Sequence, residues 1–129
     1  MFDPFRMQLL ETQDSDGQQT VSVIGVNGDE YTKVHRVQQF GRSAIPPIGS
    51  HGIGIPLRGR RDLVLAFGLE HPQHRPRLQN PGEHIIYDAF GSMISLVQQN
   101  MRFVHAQKVE MVCNGATIVM EGGKVKINS

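Results

Sequence analysis

Toward its C-terminal end the chain alternates apolar and polar residues with the period of a β-strand, three times in close succession. Lys108–Cys113, Ala116–Glu121 and Lys124–Asn128 each carry apolar residues at every second position. Only Asn114-Gly115 and Gly122-Gly123 lie between them, dipeptides suited to two-residue hairpin turns that need positive φ. The pattern predicts a three-stranded ribbon with Val109, Met111, Cys113, Ile118, Met120, Val125 and Ile127 on one face. Lys108, Glu110, Glu121, Lys124 and Lys126 fall on the other. A ribbon this narrow buries no core by itself, so the apolar face must pack against other copies or another chain. That implies an intertwined oligomer, a β-prism or needle, with a mechanical role more than a catalytic one.

Upstream the β period persists but the corners differ. Thr20–Val26 alternates and meets a hairpin signal at Asn27-Gly28-Asp29; Tyr31–Phe40, Gly52–Leu57 and Leu63–Leu69 read as further strands. Pro46 and Pro47 exclude the Ser43–Gly49 stretch from a central strand. Residues 1–19 are weakly patterned and expected to be an irregular lead-in, although Phe5, Met7, Leu9 and Leu10 suit the start of a helix or a strand. About five short strands with Gly- and Pro-rich corners suit a small closed barrel of the OB type. Pro72, Pro76 and Pro81 make residues 70–82 an extended linker, with Pro81-Gly82 as hinge. The expected division is therefore a barrel domain over 1–80 and a ribbon region over 81–129, an all-β chain throughout.

Composition narrows the function classes. The 129 residues carry a formal net charge of +1, too little to create a strong field toward nucleic acid or anionic lipid. No apolar run approaches a membrane span, and Met1-Phe2-Asp3-Pro4 lacks the basic and apolar regions of a leader, so the chain reads as soluble and made in the cytosol. Cys113 is the only cysteine; it has no intrachain partner and is expected to act as a small buried hydrophobe.

Several residues in order carry a resemblance: Val37-Gln38-Gln39-Phe40-Gly41, the Pro47/Gly49 loop, Gly59-Arg60-Arg61-Asp62, and Leu78-Gln79-Asn80-Pro81-Gly82-Glu83 followed by Tyr87-Asp88 and Gly91. With the ribbon behind them, they resemble the Mu-like phage baseplate spike family, also called baseplate assembly protein V. That family is related to tip proteins of contractile tailocins and type VI secretion. The resemblance implies an N-terminal OB-fold, an intertwined trimeric β-helix or β-prism, and a homotrimer at the tip of the tail tube. It implies a tail-tube or baseplate-hub partner, a virion baseplate location after synthesis in the host bacterial cytoplasm, and transient contact with the outer membrane that the spike pierces. Family members often hold iron at the apex through a His-x-His motif. No histidine follows His105, so iron is not carried over; either the chain is truncated at Ser129 or a separate protein supplies the apex.

Other candidate sites have plainer readings. His71 and His74 have an H-x-x-H spacing with His84 further on, but Pro72 intervenes and no second ligand pair follows, so a solvated loop is expected rather than a metal site. Arg58, Arg60, Arg61, Arg75 and Arg77 are the one basic cluster. On an OB-fold they could form a single-stranded nucleic-acid groove, the alternative function, but such grooves also need stacking aromatics. Phe40 and Phe67 look like core, and Tyr31 is isolated. Asp62 is expected to pair with one of the arginines, and the cluster fits an inter-subunit or hub contact better, with no specific nucleic acid expected. Gly49–Gly54 lacks the Lys-Ser/Thr of a phosphate loop, and no nucleophile elbow or carboxylate pair is present, so neither an enzyme nor a cofactor is expected.

Overall fold

A computed structural model describes residues 3–128; Met1, Phe2 and Ser129 lie outside the described residues, and with them the expectations placed on the chain's first two residues and its last. The chain forms two compact units, one ending at Arg75 and the other starting at Pro76. The linker expected over 70–82 thus spans the division.

Five strands make the first unit: β1 (Phe5–Gln13), β2 (Thr20–Gly25), β3 (Glu30–Arg36), β4 (His51–Pro56) and β5 (Val64–Glu70). They close into a barrel in the order β1-β2-β3-β5-β4, consistent with an OB-like fold. β1 runs antiparallel to both β2 and β4, and β3 joins β5 in parallel through His35 and Arg36. Met7, Leu9, Val21, Val23, Tyr31, Val34, Val64, Ala66 and Leu69 fill the interior.

The irregular lead-in expected over 1–19 is corrected by β1, which supplies Met7 and Leu9 to the core. Its alternation runs from Phe5 through Met7 to Leu9, so Leu9 is buried and the adjacent Leu10 is exposed. The β1–β2 register then jumps between Leu9 and Glu11, a bulge that ends the regular pairing. The Leu9 backbone instead bonds the loop before β4, its N–H donating to Ser50 O at 2.8 Å and its carbonyl accepting from Gly49 N–H at 2.9 Å.

Three aromatic expectations also change. Phe40 is fully exposed, because β3 ends at Arg36 and Phe40 lies in a turn closed by Arg42 N–H donating to Gln39 O. Phe67 points out of the barrel because its neighbour Ala66 points in. Tyr31, isolated in sequence, is buried against Phe5 with ring centroids 4.8 Å apart. Phe5 covers Gly54 so closely that a Cβ there would come within 2.5 Å of its ring.

The loop joining β3 to β4 is clamped from beneath. Gln19, nearly buried, donates from Nε2 to Asp14 Oδ1 at 2.9 Å and Ala44 O at 3.1 Å, and accepts from Arg36 Nη1 at 3.0 Å. Burial lowers the Arg36 pKa, and both of these acceptors, Gln19 Oε1 and Ala44 O, are neutral oxygens.

After β5 the chain turns rather than running extended. Pro72 sits second in a turn closed by His74 N–H donating to His71 O at 3.1 Å, because proline's fixed φ suits that corner. Pro81-Gly82 makes another turn, with Gly82 at φ +89 and Glu83 accepting from Asn80 N–H at 2.8 Å.

The second unit holds two antiparallel meanders. One is β6 (His84–Tyr87), β7 (Met93–Val97) and β8 (Asn100–Val104); the other is β9 (Lys108–Cys113), β10 (Ala116–Glu121) and β11 (Lys124–Asn128). Asn114 and Gly115 have φ of 46° and 90°, the conformation the dipeptide foretells for a two-residue hairpin. Among the described residues no helix is long and apolar enough to cross a membrane.

Candidate assembly surface

Cross-strand partners point to the same side of a sheet, so the register fixes the faces of the last meander. Met111, Ile118 and Ile127 form one row; Val109, Met120 and Val125 form the next; Cys113 stands opposite Ala116. The seven residues expected to line an axis therefore share one face. On the single chain that face is open: Met111 is 65%, Ile118 40% and Ile127 74% exposed. Cys113 is exposed as well, so the burial expected for it requires another chain.

The opposite face is charged in alternating sign. Lys108, Glu121 and Lys124 stand side by side across the three strands, and Glu110 and Lys126 flank Val119. Lys108 Nζ also lies 3.2 Å from Glu110 Oε2. Alternation of this kind keeps a face solvated and discourages lateral association.

A second apolar face went unread in the sequence. In the preceding meander Ile86, Ile94 and Phe103 form one row and Leu96 and Met101 stand opposite each other, all exposed. Ser95, on the other side of that sheet, is buried. The same period-two rule applied to 84–104 would have found these residues. Asp88 shapes the loop after β6: its Oδ1 accepts from Phe90 N–H at 2.8 Å and Ser92 N–H at 3.0 Å. Those bonds, the Phe90 one foremost, hold its carboxyl below the usual carboxylate pKa.

Arg60, Arg61 and Arg75 each lie beside an acid. Arg60 binds Asp62 through two bonds of 2.7 and 3.0 Å, which raises the Arg60 pKa and lowers that of Asp62. Arg61 lies 3.5 Å from Asp29 and covers the Tyr31 ring, its guanidinium carbon 4.9 Å from the centroid. Arg75 donates to Glu70 at 3.2 Å. Arg58, at φ 55°, shares the Leu57–Gly59 turn with no acid, and Arg77 belongs to the second unit.

His71 and His74 belong to the turn after β5. His71 and His74 lie edge to face, ring centroids 4.8 Å apart, and Gln73 N–H donates to His71 Nδ1 at 3.2 Å. His84 opens β6 opposite Leu96, in the other unit. No group of three or more His, Cys, Asp or Glu among the described residues is arranged to hold a metal ion.

The sequence profile of one family, described as Bacteriophage Mu Gp45, N-terminal, matches residues 6–73, the span from β1 to just past β5. A curated relative, the baseplate puncturing device gp45 of Escherichia phage Mu, is 25% identical over 101 residues, covering 78% of this chain and 51% of the relative. The chain thus spans about half the length of the curated relative it matches.

Proposed function

Because this chain belongs to the family described as Bacteriophage Mu Gp45, N-terminal, we propose that it is a structural spike component of a contractile-tail baseplate, working as a homotrimer. The observation that carries the proposal is the open apolar face of the ribbon unit. Two meanders expose rows of Ile, Val, Met and Phe that a lone chain leaves in water. Three copies wound about one axis would bury those rows and cover every strand edge with a neighbour's strand.

Function then follows from stiffness. Val109, Met111, Cys113, Ile118, Met120, Val125 and Ile127 line a dry axis, and the Lys and Glu of the opposite face stay hydrated. The barrel holds the trimer against the tube or hub, and the arginines of the Leu57–Asp62 turn, with Arg75 and Arg77, contact the hub or the adjacent subunit. The narrow prism concentrates the force of contraction on a small area of outer membrane. The name of the phage Mu relative, a puncturing device, supports this reading. No catalytic step or cofactor enters the mechanism.

Electron microscopy of contractile particles carrying an epitope-tagged chain tests it. Label should sit at the tube tip, once per particle; label along the sheath or only on free protein would overturn the proposal.

A further inference from the structure

Glycine shapes two turns of the ribbon unit, Asn114-Gly115 between β9 and β10 and Gly122-Gly123 between β10 and β11. The turn between β8 and β9, which joins the two meanders, is built differently. It consists of His105, Ala106 and Gln107 and contains neither glycine nor proline. A side chain closes it instead. His105 Nδ1 accepts from Gln107 N–H at 3.0 Å and from Lys108 N–H at 3.3 Å, so one ring nitrogen meets the donors that lead the chain into β9. Asp and Asn usually do this at turns, through a side-chain oxygen.

Histidine differs from those residues in what a proton does to it. A neutral imidazole has one N–H and one bare nitrogen, whereas an imidazolium has two N–H groups and no acceptor. With Nδ1 accepting, the proton of the neutral ring sits on Nε2. A second proton goes to Nδ1, points at the Gln107 and Lys108 N–H groups, and removes both bonds. The charges around the ring are mixed and do not decide the outcome. Asp88 in the loop after β6, Glu110 on β9 and Glu121 on β10 are negative; Arg102 on β8, Lys108 on β9 and Lys124 on β11 are positive. Asp88 has its own partners: the Phe90 N–H does most to lower its pKa, and the charge of His105 does least.

We propose that His105 is a pH-sensitive latch on the β8–β9 turn: the neutral ring closes the turn, and the protonated ring opens it and loosens the joint between the two meanders. The latch lies within one chain and does not depend on the trimer proposed above. Its contribution is present above the range in which histidines titrate and is lost as pH falls through that range. The turn after β5 is built to be less sensitive. There His71 Nδ1 accepts from Gln73 N–H alone. The corner is also held by Pro72 and by the His71 carbonyl, which accepts from His74 and Arg75 N–H at 3.1 Å each. Protonation of His71 costs that turn one bond of several, whereas the β8–β9 turn gives up both bonds that His105 makes.

Amide hydrogen exchange on the full chain tests the latch, expressed as protection factors so that the chemical pH dependence of exchange drops out. At about pH 8 the Gln107 and Lys108 amides should be protected, and at about pH 5 that protection should be lost. Barrel amides such as Leu9 and Gly49 should keep theirs. Asp88 stays ionised across this interval, because its pKa lies below the usual carboxylate value. His105→Asn supplies an oxygen that accepts at either pH, so its turn should stay protected throughout, and His105→Ala should leave the turn unprotected throughout. Equal protection of the turn at both pH values in the parent, a comparison that needs no variant, would overturn the latch. So would a His105→Asn chain that loses protection on acidification as the parent does, which would place the titrating group elsewhere. A His105→Ala chain still protected at about pH 8 would equally contradict it, since the ring would then not be what closes the turn.

Discussion

The barrel and the ribbon are written with the same alternation of apolar and polar residues, yet they end in opposite states. Every buried apolar side chain among the described residues lies in the barrel unit, from Met7 to Leu69, whereas the ribbon unit buries only Ser95. The difference is closure. In the barrel β1 finds β4, so the inward residues of five strands face one another and the sheet has no edge. In the ribbon unit each meander stops at three strands, and Ile118 and Phe103, each with a cross-strand neighbour, stay exposed. Alternation alone therefore specifies a face, and topology within the chain decides whether that face becomes a core or an interface.

Substitutions should break the two regions in different ways. Ile118→Asp should have the largest effect. In the proposed trimer it would place three carboxylates close together on the axis, where like charges in a dry interior must either raise a pKa or part. The expected result is loss of the trimer, read by light scattering, with the circular dichroism of the barrel strands retained. Loss of the barrel signal as well would show that the barrel depends on the ribbon for its own folding.

Leu9→Ala should come next. Removing a buried leucine typically costs about 2–5 kcal/mol, transfer and cavity together. The barrel's unfolding midpoint should fall by a corresponding amount and should not depend on protein concentration. A concentration-dependent midpoint would place Leu9 at an interface.

Asp88→Asn should act more weakly and in a pH-dependent way. The folded-state pKa of Asp88 is depressed, so its contribution is present at neutral pH and is lost as pH falls through that lowered value. The variant should be less stable than the parent near pH 7, and the gap should close below about pH 4. A gap that is constant with pH would show that the charge of Asp88 contributes nothing to its turn.

Glu121→Lys should be nearly silent, within about 0.5 kcal/mol, because it sits on the solvated face opposite Ile118. Disruption by Glu121→Lys together with tolerance of Ile118→Asp would invert the two faces.

What the sequence made legible was the part controlled by local chemistry. Asn114-Gly115 and Gly122-Gly123 announced two turns, and with both turn lengths fixed the register of three strands followed. The pairing of Arg60 with Asp62 was equally local. What stayed hidden depended on contacts distant in sequence. β1 escaped because Leu10 directly follows Leu9, and two adjacent leucines suit the start of a helix as well as a strand. Tyr31 looked solitary because its partner, Phe5, is on another strand. Phe40 looked like core because Val34, Val37 and Phe40 recur among polar residues on either side of Arg36, while the backbone leaves β3 at Arg36, where Arg36 and Gln19 hold Ala44. Of the assembly surface, the face over 108–128 stood out, while the one over 86–103 follows the same alternation but was passed over, as its strands are shorter and joined by less distinctive turns.

Native mass spectrometry of the full chain, repeated over a wide dilution series, tests the open ribbon face most directly. A trimer that persists on dilution is the expected result, because rows as apolar as Met111–Ile118–Ile127 and Ile86–Ile94–Phe103 are costly to return to water. A chain that remains monomeric, or stops at a dimer, would contradict the proposal that this face is the core of a three-chain spike.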